Sequence, residues 1–176
     1  MRIVFILIFI AVFSLFDNSL GYTTNSAWWT HLSYNFQHAN LWHLLLNSLA
    51  FYYIFGLLQK VIKQWIIIAI SLPVAIISSL FATHHSLSVV GASGMIFAMT
   101  GMLYYFALKF VINHPKSNKT GFCVFSAFIV ISLAIGFFHE YTAGWLHLLC
   151  FLGGFAVMSV YNFFAFVRPN KRNKNQ

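Results

Sequence analysis

Leu41-Trp-His-Leu-Leu-Leu-Asn-Ser-Leu-Ala-Phe-Tyr-Tyr-Ile-Phe-Gly-Leu-Leu58 is an apolar run without a charged residue or a proline. It approaches the ~20 mostly apolar residues that a helix needs to cross a bilayer. Two side chains break its apolar character, His43 and Asn47, and they lie four residues apart on what would be one helical face. Polar groups inside a span are costly and are functional candidates by default.

The surrounding composition has the same character. Of 176 residues, 60% are hydrophobic, 19% aromatic and 7% charged, against about 25% charged in a soluble domain. That excludes an ordinary soluble fold, and the same apolar content excludes disorder. The only acids are Asp17 and Glu140, too few for a carboxylate-rich metal site. Cys123 and Cys150 fall inside apolar runs and indicate neither a disulfide framework nor a zinc cluster.

Similar runs cover Ile3–Phe16, Trp65–Phe81, Val89–Val111, Phe122–Phe138 and Trp145–Val167. With Leu41–Leu58 they predict an all-α polytopic membrane protein, a bundle of six transmembrane helices formed by residues 1–167. The tail Arg168-Pro-Asn-Lys-Arg-Asn-Lys-Asn-Gln176 is read as basic, cytoplasmic and disordered. The first run is short, and a cleaved signal peptide is its alternative reading.

Positive charge in short connections marks the cytoplasmic side. Arg2, Lys60, Lys63, Lys109, Lys116, Lys119, Arg168, Lys171, Arg172 and Lys174 all fall on one side of a six-span chain, and both acids on the other. Both termini are then cytoplasmic, and the net charge of +8 reports topology and attraction to anionic lipid. No soluble basic surface exists for nucleic acid.

In this frame His43, Asn47, Ser93 and His147 share one layer just under the outer surface. His43 and His147 lie two residues past the starts of their runs and Ser93 four past, at ~1.5 Å per residue. A lone serine in a membrane helix is more often a packing residue, and a lone histidine could relay protons or bind metal. Ser93, however, sits in Gly91-Ala92-Ser93-Gly94. Flanking glycines let backbones approach closely and expose the first free amides of a helix, a setting suited to an oxyanion.

With these residues the chain resembles the rhomboid family of intramembrane serine proteases. The resemblance rests on His38-Ala-Asn-Leu-Trp-His43-Leu-Leu-Leu-Asn47, on Gly91-Ala-Ser93-Gly94, and on His147 followed by Gly154. It implies a Ser–His dyad without an acid, cofactor or metal, with Ser93 the nucleophile and His147 the general base. It further implies that His43, Asn47 and the Ser93 backbone N–H bind the oxyanion. Gly91 and Gly94 would support the site, Phe97 would stack on the catalytic histidine or pack in the core, and His38 would support the first loop. Two departures stand out. The family's Trp-Arg pair is Trp29-Thr30 here, which predicts a change in loop rigidity or lipid contacts. Cys150 replaces the usual glycine three residues after the histidine, which predicts a small shift between spans 4 and 6.

The expected activity is hydrolysis of a peptide bond in single-span membrane proteins near the outer face of a bacterial cell (inner) membrane. Water must reach Ser93, so a polar cavity should open outward above it. The alternatives are a non-catalytic rhomboid-like protein that binds or sorts membrane clients, and a small transporter or proton relay using the buried histidines. A metal site from His31, His84, His85 and His139 is a further reading, against which interfacial histidines weigh more heavily.

Overall fold

The computed structural model describes residues 1–16, 18–23, 25–82, 88–138 and 143–167. Among them the fold is helical: α1 (Arg2–Leu15), α2 (Thr30–Ser33), α3 (Leu41–Leu58), α4 (Gln64–Phe81), α5 (Ser93–Asn113), α6 (Thr120–Phe138) and α7 (Gly144–Val167), with a 3-10 turn at Asn18–Leu20. Asp17, His84, His85, His139, Glu140 and the tail 168–176 lie outside the described residues.

Helices α3 to α7 are each long and apolar enough to cross a membrane. The six-span expectation falls short at α1. Its 14 residues rise ~21 Å, against a hydrocarbon core of ~30 Å. The apolar run ends where Phe16 turns to extended backbone. Helix α1 lies along α3, stacking Phe5 on Phe51 at 5.5 Å and burying Phe9 completely.

Helix α5 is the hub, burying Met95, Ile96, Ala98, Met99 and Met102. Its most extensive contact is with α7. Glycines make this crossing close: a Cβ on Gly101 would strike the Phe151 carbonyl oxygen, and one on Gly154 the Ala98 carbonyl oxygen. In a bilayer no water-driven force joins apolar helices, so backbone-close packing at small residues supplies the attraction.

The segment between α1 and α3 folds over the tops of α4 and α5 through specific polar contacts. Tyr22 and Val89 exchange backbone hydrogen bonds as an isolated bridge. The Tyr34 hydroxyl donates to the Ala75 carbonyl at 3.1 Å, and His31 Nδ1 lies 2.9 Å from Ser79 Oγ. Thr30, which stands where the resembling family has arginine, is buried and donates to the Ala27 carbonyl at 2.6 Å. The loop is therefore pinned by short neutral hydrogen bonds.

Candidate active site

Four groups converge where α3, α5 and α7 begin. Asn40 caps α3, its side chain accepting from the His43 N–H at 2.9 Å, and so fixes the start of the helix that carries His43 and Asn47. Helix α5 starts at Ser93 itself, four residues later than the hydropathy predicts. The cause is Gly91, whose φ of +122° no L side chain adopts comfortably. Three contacts hold the approach: Val89 pairs with Tyr22, the Gly91 N–H donates to the Tyr34 carbonyl at 2.8 Å, and the Ala92 N–H donates to His38 Nε2 at 3.4 Å. The first intrahelical turn closes from Ile96 N–H to the Ala92 carbonyl. Ser93 thus stands at the amino end of α5, where the helix dipole favours negative charge.

His147 lies in the first turn of α7, its N–H donating to the Ala143 carbonyl. Its Nε2 is 2.9 Å from Ser93 Oγ. The Phe97 ring stacks on the imidazole, with centroids 4.4 Å apart and planes 17° apart. On the other side of Gly91, a built Cβ would meet His43 Nε2 at 2.8 Å and Asn47 Nδ2 at 3.1 Å. Asn47 Nδ2 is buried with no hydrogen-bond partner among the described residues. An orphaned buried donor costs about 1–3 kcal/mol unless something else accepts its proton.

His43, Asn47, Ser93 and His147 all line one cavity of about 600 Å³. Its other walls include Leu46, Ala50 and Ile54 of α3, Ile96 and Phe97 of α5, and Phe128, Ile129 and Ile135 of α6. The cavity expected to be polar is thus largely apolar, with Tyr53, Thr100 and Ser132 as further polar lining. Among the described residues no group of three or more His, Cys, Asp or Glu could hold a metal ion. His31 is engaged with Ser79.

The Rhomboid domain family model matches residues 25–162. The chain belongs to the rhomboid family. With α3 to α7, membership makes it a multi-pass integral membrane protein. No curated protein matched the chain.

Within this rhomboid chain Cys150 is fully buried, and its Sγ would lie at ordinary contact distance, 3.5 Å, from a Cβ on Gly94. What a side chain at Gly94 would strike is the Tyr34 hydroxyl, 2.7 Å from the built Cβ. Close approach of α5 and α7 is supplied deeper, by Gly101 and Gly154. Sequence reasoning also missed Tyr34, whose carbonyl and hydroxyl tie Gly91 to α4. Nothing in its sequence neighbourhood marks it out.

His38 links these parts. It is 2% exposed, with Phe9 and His43 rings each 5.3 Å away. Burial, with the nearby His43, pushes its pKa down to about 4, while the Phe36 carbonyl pulls the other way. Because Nε2 accepts from Ala92, protonation there would also set a proton against the Ala92 N–H. The unfolded chain, with a histidine pKa of about 6.5, binds this proton more readily than the folded one. Stability is therefore complete above pH ~6.5 and falls as pH drops towards 4, by at most ~3 kcal/mol from this group. Thermal unfolding in detergent between pH 7.5 and 4 should show that loss, and His38→Gln should flatten it.

Proposed function

We propose that the chain is an intramembrane serine endopeptidase that uses Ser93 and His147 as a dyad. The observation that carries this reading is the 2.9 Å approach of His147 Nε2 to Ser93 Oγ, in a cavity that also holds the unpartnered Asn47 Nδ2. A serine hydroxyl is a weak nucleophile until a base within hydrogen-bond reach takes its proton. Ser93 Oγ attacks the scissile carbonyl carbon while its proton passes to Nε2. The carbonyl oxygen becomes an oxyanion, accepting hydrogen bonds from the Ser93 N–H, Asn47 Nδ2 and the His43 ring. Collapse breaks the C–N bond, and Nε2 returns the proton to the leaving amine. Water then hydrolyses the acyl-enzyme with His147 as base again. Phe97 holds the imidazole plane by stacking, and Gly91 and Gly94 let His43 and Tyr34 close around the serine.

The substrates are single-span membrane proteins whose helix unwinds locally, since an intact helix hides its carbonyls in hydrogen bonds. The apolar cavity walls suit a segment arriving from lipid. Asn47→Ala should lower turnover by no more than ~10²–10³-fold, the cost of one oxyanion donor, because two donors remain. Ser93→Ala should abolish turnover of a reconstituted single-span substrate. Equal loss in both, with both folded, would give Asn47 another role. The alternative, a non-catalytic rhomboid protein that binds membrane clients, is favoured if wild-type protein cleaves no such substrate.

The same reading takes α1 as the sixth span, completed by its flanking residues, with both termini cytoplasmic in a bacterial inner membrane. A reporter fused after Ser88 should then read as outside and one after Lys119 as inside. The reverse at either site would remove the shared depth of the four polar groups.

A further inference from the structure

Helix α6 touches the bundle lightly. Its buried residues are Ile129 and Gly136, seven positions apart and so on one face. At Gly136 the helix meets α7 backbone to backbone. A Cβ there would lie 3.3 Å from Gly144 Cα and 3.4 Å from His147 Nδ1. In return, a Cβ on Gly144 would lie 2.6 Å from the Gly136 carbonyl oxygen and 2.9 Å from Phe137 N. The crossing leaves no room for a methyl group on Gly144. One on Gly136 would fit only if its neighbours gave by a few tenths of an ångström, with the His147 imidazole among them.

That ring is therefore bounded from three directions: Ser93 Oγ at Nε2, Phe97 on a face, and Gly136 beside Nδ1. In a three-member triad a carboxylate on the Nδ1 side orients the imidazole. Here the backbone of α6 stands on that side. Gly136 also lines the cavity, together with Phe128, Ile129, Ser132 and Ile135 of the same helix. One helix thus walls the cavity and abuts the base.

We propose that Gly136 is a positioning residue for His147: its bare backbone lets α6 close beside Nδ1 and holds the ring with Nε2 towards Ser93. A displacement of α6 is then felt at the base. This inference rests on the Ser93–His147 reading of the site.

The test compares Gly136→Ala with Gly121→Ala in the full chain in detergent. Position 121 lies on the same helix, where a Cβ meets nothing within 4 Å. A fluorophosphonate probe gives the rate constant of Ser93 labelling, which reports folded molecules whatever their fraction. A quenched-fluorescent membrane peptide gives kcat and KM. For Gly136→Ala the labelling constant and kcat should fall about tenfold or more, as expected for a displaced catalytic group. KM should stay within about twofold, and the pH midpoint of labelling should move. Gly121→Ala should match wild type in all of these. Wild-type constants and pH midpoint in Gly136→Ala would overturn the proposal. A wild-type protein that never labels would instead count against the dyad. If Gly136→Ala yields no folded protein, glycine- and histidine-labelled wild type is examined by NMR. A nuclear Overhauser contact between Gly136 Hα and the His147 ring supports the proposal, and its absence overturns it.

Discussion

Turnover of a single-span substrate is expected to fall by ~10⁴-fold or more in His147→Ala, with thermal stability little changed. Ser93 has one base at 2.9 Å, and this substitution removes it. His43 Nε2 and Asn47 Nδ2 both stand against Gly91, while the hydrogen bond to Ser93 Oγ is made by His147. Without Nε2 the attacking hydroxyl keeps its proton and the leaving amine gains none, so both halves of the reaction slow together. Labelling by a fluorophosphonate that persists in His147→Ala would remove the dyad.

The second large effect is structural. Gly154→Ala should destabilise the protein by about 1–3 kcal/mol, the usual cost of overpacking, and should also suppress turnover. The added Cβ would collide with the Ala98 carbonyl oxygen and lie 2.7 Å from its carbon, and backbone cannot rotate aside. Helices α5 and α7 must then separate, and they carry Ser93 and His147. The neighbouring Gly153→Ala is the contrast. Its Cβ would meet one side-chain methyl, Val74 Cγ1, at 2.9 Å, with the next atoms at 3.9 Å and beyond. A small shift of that α4 side chain relieves the contact without parting the α5 and α7 backbones. Thermal unfolding and turnover of the two variants should therefore diverge. Similar values for both would show that the α5–α7 distance is not set at Gly154.

Much of this architecture was legible because lipid imposes a simple rule on sequence. Apolar runs long enough to span must be helices, and all five long ones are. The polar groups His43, Asn47, Ser93 and His147 stood out against that background, and the structure gathers them around one cavity. Hydropathy alone began the α5 run at Val89, while the flanking glycines marked Ser93 as the helix start, and the positive φ of Gly91 precedes α5 at Ser93. Six spans were expected and five helices are long enough by themselves, α1 having 14 residues. The environment of the two departures was also illegible: Cys150 and Thr30 are both buried, and Thr30 donates to the Ala27 carbonyl within its own loop. Contacts such as Gly136 with His147 join distant positions whose local sequence carries no pattern.

Mapping the adduct of a fluorophosphonate on detergent-purified wild-type protein by mass spectrometry tests the nucleophile most directly. A single modified residue is expected, Ser93, activated by the imidazole 2.9 Å away. An adduct at any other residue, or a folded protein that takes up no probe, would contradict it.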